Sequence, residues 1–305
     1  MMWRYKKIIM NNYIIYHAHG HLDFYNEALY SLISFYKFHP NSDIKIVVYT
    51  DNILFFEKIL PKEVIYVQIN VEQIKKWKGD INFIHRVKIN IIQNFTTKFR
   101  GNYLYLDTDT YFTSSIDAIF KEIANNSLYL EKYEGDLFES KSRTKKPIAT
   151  FFKNNNAFKT ATDENPIYVL PPFSMWNAGA IGFNSNYINL LDKVMALTDT
   201  LYPKLKLHII EQFSFCYYFQ KSRQPLVTDD YIEHYWNFKE FRPILNEFFL
   251  FHKEKDLNTL VNYIDNINPL YLSKEKRAYK SKSFVEKTWQ KLTKGKKWGI
   301  PPYQL

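Results

Sequence analysis

The sequence predicts an α/β protein with a mostly parallel central sheet flanked by helices. Short apolar runs, typical of strands buried on both faces, alternate with segments in which apolar residues recur at helical spacing. Such alternation is typical of parallel strands joined by helical crossovers. The composition, 46% hydrophobic and 24% charged among 305 residues, is that of a globular chain and excludes wholesale disorder.

The predicted elements follow one another from the N-terminus. The run NYIIYH is almost wholly apolar and predicts the first buried strand. In the next segment Phe24, Ala28 and Leu32 recur at helical spacing, with Asp23 as the expected cap. The runs IKIVVY, VIYVQI, YLYL and WNAGAIGF predict further strands, and apolar periodicity predicts further helices. The strands lie at residues 12–17, 44–49, 64–69, 103–106 and 176–183, and the helices at 23–38, 82–99, 186–201, 208–219 and 244–264.

Between the fourth and fifth predicted strands the chain turns polar. Residues 134–172 hold a basic run and an asparagine run and show no periodicity. They predict a long loop, which in a compact domain is usually functional or mobile.

The glycines and the single cysteine exclude several classes of protein. No three of the eight glycines have the G-x-G-x-x-G spacing, and no G-x-x-x-x-G-K-[ST] occurs, which argues against Rossmann-type dinucleotide enzymes and P-loop NTPases. Cys216 alone forms neither an internal disulfide nor a multi-thiolate metal site, so a reducing compartment suits the chain. No apolar run reaches the roughly 18 residues of a membrane-spanning helix. We therefore expect a cytoplasmic protein, an expectation compatible with attachment to a membrane face.

The positive charge is concentrated at one end of the chain. The formal net charge is +10, and residues 271–305 supply most of it, with ten Lys or Arg against two Glu. Phe284, Trp289, Leu292 and Trp298 are interleaved with these bases. Such a stretch suits the inner face of an anionic membrane, although a solvated tail or a helix lying on the body explains it equally well. The nearly neutral body offers no second basic stripe, so we expect no nucleic acid partner.

An acidic pair follows the short apolar strand YLYL. Residues two apart in an extended chain point to the same face, so Asp107 and Asp109 direct their carboxylates the same way at the carboxyl end of a strand. Open α/β sheets bind ligands at that edge. Two hard oxygen donors so close together predict a divalent cation, Mg²⁺ or Mn²⁺, that also binds phosphates of a substrate.

The stretch NYLYLDTDTYF resembles the D-x-D strand of GT-A fold glycosyltransferases, and its surroundings resemble glycosyltransferase family 8 and its relatives, the glycogenin and lipopolysaccharide galactosyltransferase group. Further segments match that group in order: the first β-α unit with Tyr25, Ala28, Ser31 and Ser34, the basic helix with His85, Arg86 and Lys88, the N-[AS]-G strand at residues 176–179, and the acidic-Gln pair Glu211-Gln212. A looser match is residues 234–239, which have the group's His and Lys but neither its Gly nor its Pro-Trp.

The resemblance implies a GT-A catalytic domain over residues 1–240, followed by a C-terminal helix and basic tail over 241–305. It implies transfer of a sugar from a nucleoside-diphosphate donor, most simply a UDP-sugar, to a glycan or lipid-linked acceptor. His234 would join Asp107 and Asp109 in holding Mn²⁺ or Mg²⁺, with His252 as a competitor for that place.

The resemblance also assigns the remaining site residues. Glu211 and Gln212 are the expected catalytic pair. The group's mechanism favours retention of configuration, whereas inversion would need a carboxylate such as Glu211 as base. The expected donor-binding residues are Asp51, Arg86, Lys88, Asp107, Thr108, Asp109, Asn177, Ala178, Gly179 and Lys239.

Several of these roles have alternatives. Arg86 and Lys88 lie two apart on a helix and so cannot share a face, and we favour Arg86 for the diphosphate because its planar fork matches phosphate oxygens. Asp51 would bind the nucleoside or simply end a strand. Gly179, lacking a Cβ, would let the backbone approach the sugar. The histidines at 17, 19 and 21 would line the nucleotide pocket or be exposed.

Two other classes of protein remain as alternatives. Haloacid-dehalogenase-like phosphatases also place D-x-D after an apolar strand, but they favour Thr or Val two residues after the second Asp, where this chain has Tyr111. A non-catalytic module that docks on membranes through residues 271–305 would bind no nucleoside diphosphate.

Overall fold

The computed structural model describes residues 10–155, 157–295 and 298–305. Its strands are β1 (Asn11–Ala18), β2 (Lys45–Thr50), β3 (Ile65–Gln68), β4 (Gly101–Leu106), β5 (Thr110–Phe112), β6 (Tyr129–Asp136), β7 (Ser174–Asn184), β8 (Leu226–Val227) and β9 (Ile232–His234). Its α-helices are α1 (Leu22–Phe38), α2 (Ile53–Glu57), α3 (Val71–Lys78), α4 (Arg86–Thr96), α5 (Asp117–Ala124), α6 (Lys145–Asn154), α7 (Leu190–Leu205), α8 (Ile210–Ser222), α9 (Phe241–Phe251), α10 (Leu257–Tyr263), α11 (Pro269–Leu272), α12 (Lys274–Ser281) and α13 (Phe284–Lys294).

Seven of these strands form one sheet in the order β3-β2-β1-β4-β7-β6-β8. β3, β2, β1 and β4 are mutually parallel, and β8 is parallel to β6. β7 is antiparallel to both β4 and β6. The predicted fold class, α/β with a mostly parallel central sheet flanked by helices, is confirmed.

Both faces of the sheet are buried, which explains why the central strands are almost wholly apolar. Alternate residues of β1 belong to two separate cores: Tyr13 and Ile15 lie in the core that contains α4, α7 and α8 residues, while Ile14 and Tyr16 lie in the core that α1, α5 and α9 cover. Because β1, β2 and β4 are parallel, their carboxyl ends lie at one edge of the sheet, between the two layers of helices.

A second, two-stranded sheet lies at this edge. The chain leaves β4, passes Asp107 and Asp109 and forms β5, which pairs antiparallel with β9. This pairing joins the D-x-D turn to a segment more than a hundred residues further along the chain.

Four predicted elements differ from the structure, one of them the predicted helix at 186–201, which lies at Leu190–Leu205. The predicted loop at 134–172 contains the end of β6 and the helix α6, whose Ile148, Ala149 and Phe152 are buried. The predicted helix at 244–264 is two helices, α9 and α10, because Asp256 caps a new helix by accepting from the Thr259 amide. The predicted helix at 82–99 begins only at Arg86.

The C-terminal residues form the predicted helical extension, α12 and α13, after which Trp298 packs against Phe238. α9 contacts α1, so the segment that begins at residue 241 shares a core with the body, and the division at residue 240 stays a prediction. Among the described residues, no helix combines the length and the apolar character needed to span a bilayer.

Candidate metal and donor site

The strand pairing described above brings together three side chains that could hold a metal ion. Thr110 lies opposite His234 in the β5–β9 pair, which places the His234 ring beside the preceding Asp109. The His234 Nε2 atom is 3.1 Å from Asp109 Oδ1. One ligand atom from each of Asp107, Asp109 and His234 lies within 4.8 Å of the other two.

This donor set fits a hard or borderline divalent cation. Two carboxylates and one imidazole suit Mn²⁺ or Mg²⁺, while the absence of thiolate among them disfavours soft metals. His252, the competitor, lies apart from this group at the end of α9, where its ring stacks on Tyr263 with the centroids 4.9 Å apart. Of the two histidines, His234 is therefore the one that the fold places beside the acidic pair.

The electrostatics of the group reflect two close pairs. Burial opposes charge on the His234 ring, but the neighbouring Asp109 carboxylate outweighs it and raises the pKa of His234 to about 10. Burial likewise opposes charge on Asp109, yet the His234 ring and the Lys239 ammonium, 2.6 Å away, hold the pKa of Asp109 well below its usual range. The Asp109 carboxylate is thus held as an anion.

An irregularity in β7 supports this group. The Gly179 carbonyl accepts a hydrogen bond of 2.8 Å from the Asp107 amide. The His234 ring lies directly on Gly179, because a Cβ atom at this glycine would be 2.2 Å from His234 Nδ1. Gly179 is therefore needed to admit the imidazole, a role that we had not expected alongside a close approach to sugar.

Two lysines hold the acidic pair from different sides. The buried Lys88 ammonium donates to Asp107 and to the Ala178 carbonyl, both at 3.0 Å, and lies 3.4 Å from Glu211. Burial opposes its charge, but the carboxylates of Asp107 and Glu211 raise the pKa of Lys88 above its ordinary value. Lys239, whose side chain is 50% exposed, pairs with Asp109 at 2.6 Å and lies 3.9 Å from Glu27.

Arg86 lies away from these groups, contrary to our preference for it over Lys88. Its guanidinium donates to both Asp199 oxygens, at 2.7 and 3.0 Å, and to the Trp77 carbonyl at 2.8 Å. Residues two apart on a helix point in different directions, and in α4 it is Lys88 that faces the acidic pair.

Glu211 and Gln212 lie in the first turn of α8, both buried. Burial raises the pKa of Glu211 to about 7 even though Lys88 is close by, since Lys88 is shared with Asp107. The Gln212 amide donates to Glu134 at 3.1 Å. Glu134 also accepts from Asn177 at 3.1 Å and pairs with Lys145 at 2.9 Å.

These groups line one cavity of about 920 Å³ at the carboxyl edge of the sheet. Eleven predicted site residues line it, and the structure brings them together: Lys88, Asp107, Thr108, Asp109, Asn177, Ala178, Gly179, Glu211, Gln212, His234 and Lys239. Thr108 donates to the buried Glu27 at 3.1 Å. Arg86 and Asp51 are outside the lining. Asp51 lies next to it and accepts from the Gly20 amide and, at 2.6 Å, from the Tyr25 hydroxyl.

Histidines are concentrated around this cavity. Six of the eight in the sequence line it, namely His17, His19, His21, His85, His208 and His234. Burial lowers the pKa of His17 to about 3 and that of His85 to about 4, so both rings are neutral near pH 7. Neutral rings with one donor and one acceptor nitrogen suit hydrogen bonding to a base or a sugar.

Other lining residues were missed from the sequence. They include Glu27, Glu134, Lys145, Trp236 and Arg242. Glu27 falls on the apolar side of a helix, a signal that could have marked it, and it pairs with Arg242 at 2.7 Å. Glu134 and Lys145 lie in the predicted loop at 134–172, where no hydrophobic periodicity marks individual residues.

No protein-family model and no curated protein sequence matches this chain. Among solved structures, it is similar to the galactosyltransferase LgtC in complex with donor and acceptor sugar analogues, with 14% identity over 67% of this chain and 70% of that one and a TM-score of 0.44. It is also similar to mouse xyloside xylosyltransferase 1, with 13% identity over 71% and 84% and a TM-score of 0.47. The glycosyltransferase GlyE of Streptococcus pneumoniae TIGR4 shows 13% identity over 84% and 64% and a TM-score of 0.47. Sequence identities and TM-scores this low carry no information on activity.

Proposed function

We propose that this chain is a metal-dependent glycosyltransferase that moves a sugar from a nucleoside-diphosphate donor to an acceptor. The observation that carries the proposal is the meeting of Asp107, Asp109 and His234, with their ligand atoms within 4.8 Å of one another, at the floor of a cavity of about 920 Å³. A cavity of this size suits a ligand as large as a nucleotide-sugar. The resemblance of the motifs to glycosyltransferase family 8 agrees with this proposal.

Each part of the site has a role in such a transfer. Asp107, Asp109 and His234 would hold Mn²⁺ or Mg²⁺, which as a Lewis acid stabilises the charge that develops on a leaving diphosphate. Lys239 is half exposed at the rim and can reach phosphate oxygens, and the buried Lys88 adds positive charge from the opposite side. The histidines around the cavity would contact the nucleoside, for which uridine is our proposal.

We propose that the transfer retains configuration. An inverting enzyme needs a base that can reach the acceptor hydroxyl. Glu211 lines the cavity and its pKa is raised to about 7, but it is 3% exposed and its carboxylate lies 3.4 Å from the Lys88 ammonium, which leaves it little room to reach an acceptor hydroxyl. In a retaining transfer the departing phosphate can take the acceptor proton, and Gln212 would lie near the reacting sugar carbon.

The first test is a thermal-shift screen of UDP-, GDP-, CMP- and dTDP-sugars, each with and without Mn²⁺. We expect a UDP-sugar to stabilise the protein only when Mn²⁺ is present, because the diphosphate and the cation bind together. Sugar transfer is then assayed against glycan and lipid-linked acceptors.

The variant for this test is Asp107→Asn combined with Asp109→Asn, and Asp43→Asn, at an exposed residue between α1 and β2, is the matched control. The double variant should lose the Mn²⁺-dependent shift, and the control should keep it. Retention of both Mn²⁺ binding and sugar turnover by the double variant would refute the proposal. Hydrolysis of simple phosphoesters without a sugar acceptor would instead favour a phosphatase.

We also propose that α13 attaches the enzyme to the cytoplasmic face of an anionic membrane. Phe284, Val285, Trp289 and Leu292 lie on one side of this helix and are 84%, 74%, 69% and 77% exposed. The helix belongs to the tail with ten bases and two acids, so apolar contact and charge complementarity act together.

Co-sedimentation with vesicles tests the attachment. Phe284→Ser combined with Trp289→Ser should reduce binding to phosphatidylserine-containing vesicles, whereas Leu54→Ser, at a residue on α2 that is 70% exposed, should not. Binding that is equal for neutral and anionic vesicles, or a dimer that the double variant dissociates, would contradict the proposal.

A further inference from the structure

In the described part of the chain, the ring nitrogen of His234 that faces away from the acidic pair has no hydrogen-bond partner. His234 Nε2 is the atom beside Asp109, and the buried Nδ1 on the other side of the ring is unpaired among the described residues. The carboxylate facing it is that of Glu131, whose Oε2 atom lies 3.8 Å from Nδ1. The side chains of His234 and Glu131 are only 5% and 6% exposed. A buried polar nitrogen and a buried carboxylate thus face each other across a gap slightly wider than a hydrogen bond.

The strand geometry accounts for this placement. In the β6–β7 pair, Leu130 is opposite Ile181 but Lys132 is opposite Asn177, so the residues at 178–180 bulge opposite Glu131 alone. A bulge of this kind redirects side chains next to a site. Here it brings the bare Gly179 backbone against the Nδ1 and Cε1 atoms of the His234 ring and leaves Glu131 Oε2 3.8 Å from Nδ1.

No other cation described in the structure balances Glu131 as closely. The adjacent Lys132 ammonium pairs with Asp229 at 3.2 Å, and the nearby Glu233, of like charge, pairs with Arg277 at 3.2 Å. The remaining charged groups that face His234 are Asp107 and Asp109. Burying a carboxylate is costly unless it is paired or hydrogen-bonded, so the Glu131 side chain is satisfied best by a proton on His234 Nδ1.

We propose that Glu131 is a positioning residue for His234: its carboxylate accepts a hydrogen bond from Nδ1–H, which fixes the tautomer and orients Nε2 toward Asp107 and Asp109. The inference rests on the proposed metal site and adds to it a carboxylate behind the imidazole. Metal-ligating histidines commonly donate their second ring N–H in this way, and loss of such a partner costs about 10- to 100-fold in metal affinity.

The test is the affinity for Mn²⁺ alone, measured on the full chain by titration with electron paramagnetic resonance detection of free Mn²⁺. Glu131→Ala should weaken binding by about 10- to 100-fold. Glu131→Gln keeps an oxygen that can accept from Nδ1–H and should recover most of the affinity. Glu254→Gln, at a side chain that is 85% exposed, is the matched control and should bind as the unmodified protein does.

A second measurement reports the tautomer directly and does not depend on activity. In ¹⁵N spectra of the Mg²⁺-bound protein, the His234 ring, assigned with His234→Asn, should show a protonated Nδ1. The same ring should show mixed tautomers in Glu131→Ala, while circular dichroism confirms the fold of each variant.

The outcomes separate this inference from the proposed function. If the unmodified protein binds Mn²⁺ and Glu131→Ala binds equally well with an unchanged tautomer, Glu131 has no positioning role although the metal site stands. Equal losses in the Gln and Ala variants would also overturn positioning, because they would indicate that the carboxylate binds the ion itself. If the unmodified protein binds no Mn²⁺, the proposed function fails and the inference fails with it.

Discussion

Gly179→Ala adds one methyl group beside the imidazole that the metal site needs. The new Cβ would be 2.2 Å from His234 Nδ1 and 2.3 Å from Cε1, whereas ordinary contacts begin at 3.4 Å. The ring would therefore have to move by about 1.2 Å, several times the roughly 0.2 Å tolerance of a metal–ligand distance. We expect an affinity for Mn²⁺ about 100-fold lower, or roughly 2.7 kcal/mol, at the upper end of what indirect disturbance of a ligand costs.

The assay is a Mn²⁺ titration of Gly179→Ala against a matched glycine variant. Gly299→Ala is that control, since the nearest atom to its new Cβ would be 3.5 Å away, an ordinary contact. A double-mutant cycle with His234→Ala separates the contact with the ring from general effects on the fold. In the protein that lacks the His234 ring, Gly179→Ala should weaken Mn²⁺ binding no further. An affinity of Gly179→Ala equal to that of the unmodified protein would refute the argument, as would equal losses in the presence and absence of the ring.

Three further predictions concern Glu211, Arg86 and Glu134. Burial raises the pKa of Glu211 from 4.5 to about 7, so the folded protein holds this proton more tightly than the unfolded chain does. The stability that results is fully present below pH 4.5 and is lost as the pH rises through 7. From about pH 5 to about pH 7.5 the free energy of unfolding of the unmodified protein should therefore fall by about 2 kcal/mol more than that of Glu211→Gln, as measured by urea titration; equal slopes would contradict this. Arg86→Gln should reduce the free energy of unfolding by about 1–2 kcal/mol, because it breaks a partly buried bidentate pair with Asp199. The affinities for Mn²⁺ and nucleotide, measured by calorimetry, should not change. Weaker nucleotide binding would instead indicate that Arg86 is a phosphate ligand. Glu134→Gln replaces one of the two acceptor oxygens that hold the Asn177 and Gln212 amides by a donor NH2 group, and it should lower kcat about tenfold in the transfer assay. An unchanged kcat would show that these amides do not need both acceptors.

Local signals account for the part of the fold that the sequence predicts. The central strands are buried on both faces, so each appears as an apolar run that needs no knowledge of its neighbours. The break between α9 and α10 had a local signal as well, because Asp256 is a residue type favoured at the start of a helix and follows the charged run at 253–255. The local signal for α6 was weaker, because only three of its buried residues, Ile148, Ala149 and Phe152, are apolar and they lie within a basic and polar stretch.

Some residues of the site have a local sequence signal, and others are brought together only by long-range contacts. Asp107 and Asp109 could be predicted because their spacing and the preceding strand lie within one short stretch. The choice between Arg86 and Lys88 could not, because it depends on where Asp199 of α7 lies relative to α4. His234 could be predicted as a metal ligand only from the family resemblance, because the β5–β9 pairing joins residues more than a hundred positions apart and leaves no local signal.

The bulge in β7 is the element on which the separate parts of the site converge. The Ala178 carbonyl holds the Lys88 ammonium, the Gly179 carbonyl holds the Asp107 amide, and the face of Gly179 supports the His234 ring. The Asn177 side chain closes the turn by accepting from the Gly179 amide, and its own amide donates to Glu134. A change within 177–179 should therefore disturb the proposed cation ligands, the buried lysine and the amide network together, whereas a change at the end of β1 or β2 should affect only the proposed nucleoside end of the cavity. The N-A-G stretch is thus constrained by the geometry of three neighbouring groups, which explains why small residues occupy a position at the centre of a polar cavity.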